Sequence, residues 1–117
     1  MSFSPPDEET IYDIVLAAKA IREYMRGVDR ERFDNEPMRR DAVERQIMIV
    51  GEATKRLSPA FRAAHPEIPW RAIAGMRDVL VHDYDEIVGD RVWRAATEHA
   101  PRLLASLEPL LPPPPEP

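Results

Sequence analysis

Apolar residues recurring three and four positions apart, with no stretch of strict alternation, restrict this chain to helices. Ile11, Ile14, Val15, Ala18, Ile21 and Met25 keep that spacing, which puts one apolar stripe on one face of a helix. Ser4, Pro5, Pro6 and Asp7 stand before it. Serine caps, prolines fill first-turn positions where no amide bond is lost, and Asp7 completes a capping box. A first helix is therefore expected, ending near Gly27.

A polar connection, Val28 to Asn35, leads to Pro37, which suits the first turn of a second helix running to about Leu57. Its stripe is Val43, Ile47, Val50, Ala53 and Leu57, but Ile47-Met48-Ile49-Val50-Gly51 is apolar all round. Such a run must be buried on more than one side. In a chain of 117 residues the second covering surface is expected from another subunit, giving a two-fold homodimer, with burial inside a single domain as the alternative. Ser58-Pro59 opens a short turn through Ala64 that His65-Pro66 stops. Trp70 to about His82 reads as a third helix, with Ile73, Met76 and Leu80 inward and Gly75 where a neighbour approaches closely. Asp83 to Gly89 reads as an acidic loop and Asp90 as the cap of a fourth helix carrying Val92, Ala95, Ala96, His99, Leu103, Leu107 and Leu110, kinked at Pro101. Leu111 to Pro117 is of polyproline type. The expected fold is all-α, an antiparallel four- to five-helix bundle, with residues 1–111 as one domain and 112–117 as a flexible proline-rich tail.

Composition narrows the function. A formal charge of −5 and a pI near 5.2 argue against coating long nucleic acid, though not against a small phosphate pocket. The chain has no cysteine, which excludes disulfides and thiolate metal sites and suits a reducing compartment. Neither a leader-like N-terminus nor a run of about 20 apolar residues is present, so a soluble cytoplasmic protein without membrane association is expected.

The candidate site is Arg77-Asp78-Val79-Leu80-Val81-His82-Asp83-Tyr84. It joins a guanidinium that binds phosphate, an imidazole that moves protons near neutral pH and a phenol open to modification. The arginine-to-histidine spacing is not the evidence, because Arg94 and His99 repeat it. In an unbroken helix positions five apart lie about 140° apart, so Arg94 and His99 read as structural. Arg77 and His82 differ by lying where a helix is expected to end and the last turn to loosen toward a common cleft. Asp83, Asp85, Glu86 and Asp90 beside His82 read as a solvated loop rather than a metal site, and no cofactor is expected. His65 reads as structural, and Trp70 and Trp93 as core or interface anchors.

Around this stretch stand Asp41-Ala42-Val43-Glu44-Arg45, Ile49-Val50-Gly51-Glu52-Ala53 with Lys55-Arg56-Leu57, Ile68-Pro69-Trp70, and Val92-Trp93. In that order, with R-x4-H-x-Y at Arg77, His82 and Tyr84, they resemble the HepT-like toxins, a branch of the HEPN superfamily of small helical proteins. The resemblance covers roughly Asp7 to Leu107; asparagine is usual where this chain has Asp78. It implies a homodimer in which Arg77 and His82 line a shared cleft and act as a metal-independent endoribonuclease on RNA. Asp78 and Asp83 would support them. It also implies a toxin-antitoxin system whose nucleotidyltransferase antitoxin, of the MntA kind, adenylylates Tyr84. Against this, Arg77 with Asp78, Asp83, Asp85 and Glu86 leaves a local formal charge of −3, unfavourable for drawing in RNA and tending to keep His82 protonated. Arg39, Arg40, Arg45 and Arg71 are the candidates to offset it. The alternative is a non-catalytic helical dimer that binds a nucleotide or a nucleotidyltransferase partner.

Overall fold

The computed structural model describes residues 5–82 and 86–112, with the side chains of all of these except residues 5, 76, 78–82 and 86–88. The described residues form helices and no strand. α1 (Pro5–Tyr24) is followed by α2 (Arg30–Asn35), α3 (Pro37–Arg56) and α4 (Pro59–Ala64). α5 (Trp70–His82) and α6 (Glu86–Arg94) come next, then a π-helical turn over Ala95–His99, α7 (Ala100–Leu107) and a 3-10 turn over Glu108–Leu110. The all-α expectation holds, and Ser4 and the tail beyond residue 112 lie outside the described residues.

The turn chemistry explains most boundaries. Ser58 accepts from the Phe61 N–H and caps α4, with Pro59 at its first position. Gly27, with φ of +68°, supplies the left-handed residue that closes the turn after α1. Asp7 is buried and takes the Ser58 N–H at 2.9 Å and the Ser58 hydroxyl at 2.5 Å. It thereby ties the start of α1 to the end of α3. At the opposite end Arg39 donates to the Tyr24 carbonyl, so α1 and α3 run antiparallel.

α3 is the central helix. Its Val50 and Ala53, with Leu57 just past its end, join Ile11, Ile14 and Ala18 of α1, Phe61, Ile68, Trp70, Ile73 and the leucines of α7 in one cluster. Val43 and Ile47 join Ile21, Phe33, Val92, Ala95 and Ala96 in a second. α1 and α5 thus cover α3 from within the same chain, so the apolar run at Ile47–Gly51 does not by itself require a second subunit.

Three expectations are corrected. The connection Val28–Asn35 contains α2, capped by Asp29 accepting from the Arg32 N–H and anchored by Phe33, which is fully buried; such burial stabilises by about 1.5–3 kcal/mol. Asp90 does not cap the fourth helix, because α6 already begins at Glu86; Asp90 instead pairs with Arg30 at 2.7 Å. Just before Pro101 a π turn, whose Ala100 N–H reaches the Ala95 carbonyl, interrupts the α-helical hydrogen-bond pattern. Finally, among the described residues a Cβ built on Gly75 would meet nothing within 4 Å, whereas the close approach falls at Gly51.

Candidate active site

α5 crosses α3 where α3 has no side chain. A Cβ on Gly51 would lie 3.0 Å from the Arg77 Cβ and 3.4 Å from the Ala74 carbonyl oxygen, inside the distance at which nonbonded carbons settle. Arg77 therefore rests at its root on the backbone of α3. The next residue of α3, Glu52, accepts from Arg77 Nε at 3.2 Å. Both side chains are partly exposed, 36% for Arg77 and 49% for Glu52. An ion pair so exposed contributes about 0–1 kcal/mol. Its effect is to aim the guanidinium rather than to hold the fold.

Of the residues singled out from sequence, Arg77 has a described side chain. The backbone of α5 is described as far as His82, so the expected helix end there lies at the edge of the described residues; the side chains of His82 and Asp78 lie outside them, as do Asp83 and Tyr84 entirely. The duplicate pair is better resolved. Arg94 and His99 flank and end the π turn, in which residues five apart are one turn apart, so the 140° separation argued for an unbroken helix does not apply. Arg94 is paired with Glu98 at 3.2 Å, as Arg77 is with Glu52, so pairing does not separate the two arginines. His65 is packed on Phe61, ring centroids 4.7 Å apart, and Trp70 is buried with its indole N–H bonded to the Arg62 and His65 carbonyls. Trp93 lies 5.5 Å from Phe33.

Sequence reasoning missed what surrounds Arg77. Gly51 and Glu52 were legible as a pair in the block that precedes Lys55-Arg56, but their contact with α5 was not. An open groove of about 650 Å³ lies beside the crossing, lined by Lys55, Arg62, Trp70, Arg71, Ala74 and Gly75 among others. Arg71 was one candidate to offset the acidic stretch; Lys55 and Arg62 were not considered. Arg39, another candidate, is engaged by Glu36 and the Tyr24 carbonyl. Among the described residues no cluster of His, Asp and Glu suits a metal ion, and no helix is long and apolar enough to cross a membrane.

The family model described as ribonuclease HepT-like matches residues 14–110. The chain is 36% identical over 103 residues to "Probable ribonuclease HepT" of Thermococcus cleftensis, covering 88% of this chain and 94% of that protein. It is 33% identical over 98 residues to "Putative RNase MJ1380" of Methanocaldococcus jannaschii, covering 84% and 90%. A third relative, "Putative RNase TTE0752" of Caldanaerobacter subterraneus subsp. tengcongensis, is 35% identical over 98 residues, covering 84% and 88%. No solved structure matches at a significant level.

Proposed function

Because the chain belongs to the HepT-like ribonuclease family, we propose that it is an endoribonuclease with Arg77 and His82 as its catalytic pair. The observation that carries this reading is the seating of Arg77: its Cβ rests on the backbone at Gly51 and its Nε is held by Glu52. A guanidinium fixed at its root, on the helix that also carries His82, suits a phosphate-binding role.

Arg77 binds the scissile phosphate and the charge that builds on it. His82 takes the proton of the ribose 2′-hydroxyl or returns one to the departing 5′-oxygen. The 2′-oxygen bonds to phosphorus as the P–O5′ bond breaks, leaving a 2′,3′-cyclic phosphate and a 5′-hydroxyl. DNA lacks that nucleophile and stays uncut. The active form is a two-fold homodimer and the toxin of a toxin-antitoxin system. Its nucleotidyltransferase antitoxin places AMP on Tyr84, two residues from His82, blocking the site with bulk and negative charge.

Purified protein free of AMP on Tyr84 should cut RNA to cyclic-phosphate ends. His82→Ala and Arg77→Ala should each slow cutting by about 100-fold or more with an unchanged circular dichroism spectrum. Wild-type protein that cuts no RNA would sink this reading. The Glu52 partner and the local charge of −3 favour one other: a helical dimer that binds a nucleotide or a nucleotidyltransferase without turnover. In that case both variants lose association and there is no cleavage to lose.

A further inference from the structure

We propose that the outer stripe of α3 pairs antiparallel with the same stripe of a second copy, and that this pairing brings the partner's Arg45 onto Glu52 beside Arg77. The proposal rests on the cleavage reading above and names the contact through which the second subunit enters that site. Asp41, Arg45, Met48, Ile49, Glu52 and Arg56 follow one another at three- and four-residue spacing, which sets them on one side of the helix. Gly51 turns to α5 and Ala53 to the cluster shared with α1, so the stripe lies between the two covered sides. Its charged members are exposed, and Met48 and Ile49 are only partly buried. The order along it is acid, base, apolar centre, acid, base. Turned end for end about the Met48–Ile49 centre, that order meets its own opposite: Arg45 faces the partner's Glu52 and Asp41 faces the partner's Arg56. A two-fold axis repeats each pair, so the face is complementary to itself in charge around an apolar middle.

The charges are open to this use. Asp41 and Arg45 stand one turn apart, acid first, the orientation that favours an ion pair within a helix. Arg30, Arg32 and Arg94 take such helical neighbours within 3.2 Å, yet Asp41 and Arg45 take neither each other nor any other ion-pair partner among the described residues. Glu52 gives Oε1 to Arg77 at 3.2 Å, and among the described residues its Oε2 accepts no bond. Arg56 stands 3.6 Å from Asp13. The apolar centre continues onto α1: Asp7 at Ser58 and Arg39 at the Tyr24 carbonyl set the antiparallel register of α1 on α3, which brings exposed Leu16 level with Met48 and Ile49. An axis lying across α3 sets both copies of Leu16 on one side of the interface and both copies of Arg77 on the other. Helices packed about 8–10 Å apart let side chains as long as arginine and glutamate meet. Glu52 then bridges two guanidiniums, its own Arg77 and the partner's Arg45. The second adds positive charge where the motif's own formal charge is −3, and Arg45 serves as a positioning residue acting through Glu52.

The test is analytical ultracentrifugation of the full-length protein over a dilution series. Arg45→Glu and Glu52→Arg each set like charges together twice and should raise the dimer dissociation constant by about tenfold or more. Both positions are exposed, so the circular dichroism spectrum should not change. Mixed in equal amounts, the two variants regain opposite charge at both contacts and should form a heterodimer, seen by native mass spectrometry, with a dissociation constant within about threefold of the wild-type value. Variants that each dimerise like wild type, or that stay apart when mixed, would overturn the pairing, as would a wild-type monomer at micromolar concentration. The partner's part in the site is read by RNA cleavage. Wild-type activity per chain should fall on dilution in step with the dimer fraction. At concentrations that keep it dimeric, Arg45→Gln should raise KM by about threefold or more with kcat less changed, and Arg45→Lys should recover most of the loss. Activity independent of the dimer fraction, or an unchanged KM, would overturn that part. If wild type cuts no RNA the cleavage reading fails, and the mixing experiment still decides the pairing.

Discussion

Glu44, half-buried on α3, illustrates how a single residue is held against its own chemistry. Burial pushes its carboxyl above the usual carboxylate range, Asp41 adds to the rise, and Arg40 partly opposes it. A carboxyl raised in the folded state contributes stability that is fully present below its unfolded value and lost as pH rises through the folded one. At neutral pH its charge therefore works against folding. Glu44→Gln is expected to raise the melting temperature at neutral pH by at most a few degrees, and the gain should vanish near about pH 4, where the wild-type carboxyl carries its proton. The same gain at both pH values would show that charge is not the cause. Contrast Arg77, whose ion pair with Glu52 is too exposed to matter for stability and matters for aim.

At the scale of elements, the crossing of α3 and α5 makes two glycines behave oppositely. Gly51→Ala forces a Cβ to 3.0 Å from that of Arg77, and overpacking of this kind costs about 1–3 kcal/mol; it should also slow RNA cleavage by displacing the guanidinium. Gly75→Ala meets nothing and, mid-helix, should stabilise by about 0.5–1 kcal/mol. Urea denaturation of the two variants decides the matter, and equal stabilities would refute the close contact. Which glycine lies at a crossing is tertiary information, and helical periodicity alone pointed to Gly75. Boundaries written in local chemistry were legible: Ser58-Pro59 opens α4 and Pro37 opens α3 where expected. α2 was not, because six residues gain their helix from the Asp29 cap and from the burial of Phe33, and burial belongs to the whole fold. What was legible near the candidate site was a helix carrying both Arg77 and His82, together with the family blocks around it. Its flanking groove was not, since Arg62 and Arg71 meet only through the packing of α4 beside α5.

At the scale of the molecule, α1 and α5 both pack on α3 and bury Ile47, Val50 and Gly51 from within the chain, while Met48 and Ile49 stay partly exposed, so the packing argument for a second subunit is weakened. The homodimer then rests on the family resemblance and on what the chain leaves uncovered. Tyr12 and Leu16, one turn apart on α1, are 54% and 49% exposed, a small apolar face. Light scattering at micromolar concentration should give about twice the 13.4 kDa chain mass, and a monomer mass would end the dimer proposal. The last feature is the π turn at Ala95–His99. Val92, Ala95, Ala96 and, just past it, Ala100 serve one cluster; Leu103, Leu104 and Leu107 further on serve the other. One surplus residue in a single turn resets the phase of a continuous rod, so that its two halves face different cores without a loop between them. The final helix thus reads its partners by counting, and its length in residues, more than the identity of any one of them, is what the architecture fixes.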